Sequence, residues 1–186
     1  LALSSVTSVF SAPAVAYAAP VLSVSKSVSK PLLGGTATVS ITVKNNGDAK
    51  GYNLTLTDVM SSSKADPQGR VTVKSSDVPA SSVVLNAATG DTTAVFADIV
   101  DLAPTESHTF TFVVDISGDS SWEVGDLLND TVSAAVNTVP DNSGSWVTGN
   151  ASASAEVAPI ALVTKTANQS TGIHQATGTA ARPYSY

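Results

Sequence analysis

Residues 36–58 read TATVSITVKNNGDAKGYNLTLTD, and their period decides the fold class. Val39, Ile41 and Val43 point one way, while Ser40, Thr42 and Lys44 point the other. That is the two-residue alternation of a strand with one wet face. Leu54 and Leu56 alternate with threonine in the same manner over Tyr52 to Asp58. Between them Asn45-Asn46-Gly47-Asp48 is a turn signal able to supply positive φ, so the two runs are expected to form a hairpin.

Outward from this stretch the same period recurs. Further strand runs are expected at Val71 to Lys74, Ser82 to Leu85, Ala94 to Val100, His108 to Ile116, Thr131 to Asn137 and Ala151 to Val157. Most are bounded by Gly, Pro, Asp or Ser clusters, and none of the chain sustains a helical stripe. Phe110, Phe112, Val114 and Ile116 give the clearest core face. Short strands at this spacing imply an all-β, antiparallel sandwich.

Pro20 to Lys26 (PVLSVSK) is echoed at Pro159 to Lys165 (PIALVTK). Residues 19–158 are therefore expected to form one complete repeat, and 159–186 the first strand and stub of a second. Residues 1–18 are mostly apolar or small, are broken by Pro13 and end in Ala16-Tyr17-Ala18. They read as a signal peptide, truncated at its start because no basic region precedes Leu1, with cleavage after Ala18. Secretion to an extracellular, surface-attached setting follows as an expectation.

Composition narrows the chemistry. Of the 186 residues 13% are charged, the net charge is −6 and cysteine is absent. Disulfides, zinc–thiolate sites and thiol nucleophiles are excluded, and an acidic surface repels a phosphate backbone, so nucleic acid is not an expected partner. No apolar run reaches membrane-spanning length. No G-x-S-x-G, G-x-G-x-x-G, P-loop or H-E-x-x-H pattern occurs. Neither an enzyme nor a cofactor is expected. His108 begins a strand in line with Phe110 and reads as a core-edge imidazole, and His174 lies in the stub.

Several segments resemble the prokaryotic cell-surface repeat known as "domain of unknown function 11". They are Lys26, the run Gly35 to Ala49 (GTATVSITVKNNGDA), Leu54 to Asp58 (LTLTD), Leu102-Ala103-Pro104 before a Thr-Phe-Thr-Phe strand, and Leu128-Asn129-Asp130-Thr131. The resemblance covers about residues 20–158. Gly35 lacks the following Asp, and Ser40 and Thr105 replace the usual Tyr and Gly. It implies an immunoglobulin-like module of an adhesin, stalk or fimbrial protein. Some Gram-positive relatives join a first-strand Lys to a late-strand Asn with an acid assisting. Matched by position, that trio is Lys26, Asp58 and Asn129, with Asn150 as a second acceptor. The competing reading makes Lys26 a solvated edge-strand charge, Asp58 a strand-end turn residue and Asn129 a turn former. Lys26 stands between Ser25 and Ser27, which favours the second reading and an unmodified mass.

Two other constellations bear on binding. Asp115, Asp119, Glu123, Asp126 and Asp130 form an acidic run, and the first three are weak calcium candidates, although the spacing matches no twelve-residue calcium loop. Trp122 and Trp146 lie in Gly-, Ser- and Asp-rich stretches, where an exposed indole stacks on sugars and a buried one caps the sandwich. The expected function is a structural spacer in a surface array, its partners being neighbouring repeats. The alternatives are an adhesin or module binding a surface glycan or protein, and a filament subunit in which Val21 to Ser29 or Val157 to Thr166 completes a neighbour's sheet.

Overall fold

The computed structural model describes residues 18–64 and 70–160. All but the last residue of the expected signal peptide 1–18, nearly all of the second-repeat stub and His174 lie outside them. Among the described residues there are nine strands: β1 Leu22–Val28, β2 Thr36–Asn45, β3 Tyr52–Ser62, β4 Thr72–Ser76, β5 Ser82–Leu85, β6 Thr92–Phe96, β7 Ser107–Asp115, β8 Leu127–Asn137 and β9 Trp146–Glu156. All named pairings are antiparallel. One sheet runs β1-β2-β7-β4 and the other β5-β6-β3-β8-β9. This is an all-β immunoglobulin-like sandwich.

The core forms where the inward faces meet. Val39, Ile41, Val43, Phe110, Phe112 and Val114 line one sheet, and Leu54, Leu56, Met60, Leu128, Val132 and Val136 line the other, all buried. Phe96 and Phe112 meet across the interior with ring centroids 5.5 Å apart. Trp122 closes one end, 3% exposed, and its indole N–H donates to the Arg70 carbonyl at 3.2 Å.

The expected hairpin of residues 36–58 does not form. β2 pairs with β1 and β7, whereas β3 pairs with β6 and β8 in the opposite sheet. Each strand has one apolar face, and the two faces bury more surface packed against each other than they would side by side. The connection is a corner held by buried Asn45, whose Oδ1 accepts from the Val21 and Gly47 amides and whose amide donates to the carbonyls of Ala49 and Leu102. Gly47 serves close approach: a Cβ there would lie 2.2 Å from the Ala19 carbonyl oxygen. Positive φ appears instead at Asn53, 54°.

Four strands depart from their expected bounds by more than two residues. β6 ends at Phe96, β3 continues four residues past Asp58, β8 begins at Leu127 and β9 at Trp146. Asp58 is thus a mid-strand residue, because Val59 and Met60 carry the alternation onward with nothing to break it. Asn129 likewise lies inside β8, paired with Ser154 of β9, and is no turn former.

Candidate functional site

Three charged residues sit in phase with the core. Lys26 follows Leu22 and Val24 on the inward face of β1 and precedes Val28. Asp58 lies between Leu56 and Met60 on β3, and Asp130 between Leu128 and Val132 on β8, both buried. The register pairs Asp58 with Val132 and Met60 with Asp130, which makes the two aspartates diagonal neighbours across adjacent strands, within side-chain reach. β1 belongs to the other sheet and runs close by β9 at its edge: a Cβ on Gly149 would lie 2.8 Å from Val24 Cγ2. That contact lets Lys26 project across the interior onto β3 and β8.

The side chains of all three residues are 0% exposed. The Lys26 ammonium donates to Asp58 Oδ2 and stands 2.8 Å from Asp130 Oδ1 without the alignment of a hydrogen bond. It also lies 5.8 Å from the centre of the Phe112 ring. Asp58 Oδ1 and both Asp130 carboxyl oxygens have no hydrogen-bond partner. Burial pushes the Asp130 carboxyl up to about 8, the adjacent Asp58 carboxylate adds to the rise, and Lys26 offsets part of it. At neutral pH the Asp130 carboxyl is therefore held toward its neutral form beside Lys26 and Asp58.

This geometry overturns the solvated-edge reading of Lys26. Its backbone is at a sheet edge, but the alternation of β1 turns the side chain inward, where two acids compensate the charge. Lys26 and Asp58 come together as the resemblance implied. The expected acceptors do not join them. Asn129 is one residue out of phase with Asp130 and so takes the opposite face of β8, and Asn150 is on the exposed face of β9. Asp130, read from sequence as part of an acidic run and of the Leu128–Thr131 segment but not as a partner of Lys26, takes the place. Its phase with Leu128, Val132 and Ala134 was the available signal.

The other candidates disperse. Asp115 faces Lys74 at 3.4 Å, Asp119 accepts from the Arg70 and Ser121 amides, and Glu123 faces Lys64 at 3.1 Å. Among the described residues no three acidic or histidine groups converge as a metal site. Trp122 offers no stacking face, since its ring is packed into the end of the core where it buries large apolar area. Trp146, the first residue of β9, is 46% exposed. His108 meets the Phe110 ring at 4.5 Å between centroids, at the core's rim.

Solved structures with a similar chain course include the seventh type I cohesin of ScaB from Pseudobacteroides cellulosolvens, at 13% identity and TM-score 0.47, covering 77% of this chain and 97% of that one. The full-length major pilin SpaD of Corynebacterium diphtheriae is similar at 12% identity and TM-score 0.41, over 70% of this chain and 33% of that one. AvmM, described as catalysing macrocyclization in alchivemycin A biosynthesis, is similar at 14% identity and TM-score 0.45, over 75% of this chain and 88% of its own. No family model and no curated protein matches the chain, so the likeness to "domain of unknown function 11" rests on the motifs quoted above.

Proposed function

We propose that this chain is an exported structural module, a spacer in a bacterial or archaeal cell-surface protein of the "domain of unknown function 11" kind, with neighbouring repeats as its partners. The observation that carries this reading is the placement of its most unusual chemistry. Lys26, Asp58 and Asp130 are shut inside the sandwich, out of reach of an external substrate, and tie β1 of one sheet to β3 and β8 of the other. Groups so placed act on the protein's own cohesion. The export pattern of residues 1–18 and the echo of Pro20–Lys26 at Pro159–Lys165 supply the setting.

The test is a fragment of residues 19–158. It should fold alone as a monomeric β-protein, with an unfolding midpoint within about 5 °C of the full chain. Saturable binding to a glycan panel, lost in Trp146→Ala, would replace the spacer by an adhesin.

A filament reading has one observation of its own. β5 ends its sheet with Val83, Val84 and Leu85 each at least 40% exposed, an edge onto which another strand could add. Of the expected donor segments, β1 pairs with β2, and the first two residues of the second, Val157 and Ala158, bond to Asp126 and Pro31. Self-association at micromolar concentration that is abolished by Val84→Lys would favour this alternative.

A further inference from the structure

We propose that Lys26 Nζ and Asp130 Cγ condense into an intramolecular amide, with Asp58 moving the protons. This goes beyond the spacer reading and stands on the geometry of the cluster, whatever the module is attached to.

The roles follow from the contacts. An amine attacks a neutral carboxylic acid far more readily than a carboxylate, because the anion repels the lone pair and offers no leaving group. Asp130 is the neutral acid of the pair, held so by burial, with both oxygens free of hydrogen bonds. Asp58 is the carboxylate that already accepts the Lys26 proton. Proton transfer from ammonium to Asp58 produces the neutral amine beside Asp130, with Nζ 2.8 Å from Asp130 Oδ1. The nitrogen lone pair adds to Asp130 Cγ, and Asp58 shuttles a proton from nitrogen to the departing hydroxyl. The Cγ–O bond then breaks and water leaves. One N–C bond forms, one C–O bond breaks, and the proton first held by the ammonium remains on Asp58. No oxidant, cofactor or external nucleophile enters.

The same burial supplies the driving force. In water, amine and acid persist as hydrated ions, which makes condensation unfavourable. In this core that hydration is gone, and the unreacted cluster bears the cost of a desolvated ammonium and carboxylate. The product contains only neutral groups, an amide and a protonated Asp58 able to hydrogen-bond to it. An ordinary apolar trio would pack these positions with less penalty, so three charges in phase with Leu, Val and Met are accounted for by a reaction that consumes them. The bond would join the edge strand β1 to the inner strand β8 of the opposite sheet.

Intact mass spectrometry of the folded full chain is the test. The expected mass is one water, about 18 Da, below that of its sequence. Proteolysis should yield a branched peptide joining Lys26 to Asp130, and Lys26→Met should restore the full mass. Asp58→Ala should also retain the full mass while keeping a folded β-type circular dichroism spectrum. Asp130→Asn adds a sharper arm: its amide would leave as ammonia, about 17 Da, so the variant should converge on the mass of the reacted wild type. Full mass in folded wild-type protein overturns the proposal. A branch mapped to Asp58 overturns the assignment of Asp130, and a water deficit that survives Lys26→Met assigns the loss to a different reaction. If Lys26→Met does not fold, the branched peptide of the wild type decides alone.

Discussion

Two lysines in this molecule each stand between two carboxylates, and they differ in almost everything else. Lys26 meets Asp58 and Asp130 with all three side chains sealed from solvent. Lys64 meets Glu123 at 3.1 Å and Asp126 at 3.3 Å, with its side chain 29% and that of Glu123 75% exposed. At the surface, hydrogen bonding to Glu123 holds the Lys64 ammonium above its ordinary value, and both carboxylates stay paired with it. Inside, Asp130 is pushed up to about 8, toward its neutral form, because burial outweighs the nearby ammonium. The same three charges make a screened, reversible contact in one place and a reactive set in the other. Water is the difference.

The largest expected effect comes from breaking the inner set. With the amide formed, residues 26–130 close a loop of about a hundred residues, and its loss in Lys26→Met should cost about 4 to 5 kcal/mol on loop-entropy grounds. Urea unfolding of the two proteins measures it. A change below about 1 kcal/mol would put Lys26 on a par with an ordinary surface residue.

Next in size is Trp122→Ala. The ring is buried beside the loop that carries Glu123 and Asp126, so the variant should lose about 3 to 5 kcal/mol through packing and loosen the Lys64 contacts with it. If thermal unfolding is unchanged, the indole does not close the sandwich end.

The pH dependence distinguishes reacted from unreacted protein. In Lys26→Met the only group opposing the rise of the Asp130 value is gone, so its carboxyl stays protonated in the folded state and ionises near 4 when unfolded. The unfolded state then binds fewer protons between about pH 4 and pH 8, and stability should fall as pH rises through that window by about 1.4 kcal/mol per unit. Wild-type protein, whose Asp130 is an amide, should show a shallower slope, because it keeps one buried acid, Asp58, where the variant has two. An equal slope in both would mean that Asp130 still titrates in the wild type.

Lys64→Ala should have the smallest effect. The unfolding midpoint should move by less than about 3 °C, and the difference should shrink further in high salt. A larger, salt-insensitive loss would show that the surface set is far better shielded than its exposure indicates.

Much of the inner site was legible in the chain. Counting by twos places Lys26 with Leu22, Val24 and Val28, Asp58 with Leu54, Leu56 and Met60, and Asp130 with Leu128, Val132 and Ala134. Matching instead to an Asn acceptor points to Asn129, one residue away, and in a strand one residue is the opposite face. Serines on both sides of Lys26 suggest a wet strand, yet they only describe the outward face of β1.

The alternation of apolar and polar residues by itself determined that this is a two-layered β-protein, and which side of each strand faces inward, because the pleat leaves a side chain no third direction. Only the tertiary structure decided that β2 and β3 part into different sheets, since which apolar faces bury each other depends on the whole set of strands. It alone brought residues 26, 58 and 130 together. Their meeting depends on the diagonal register of β3 on β8 and on the approach of β1 to β9 at Gly149, and neither is encoded within any one strand.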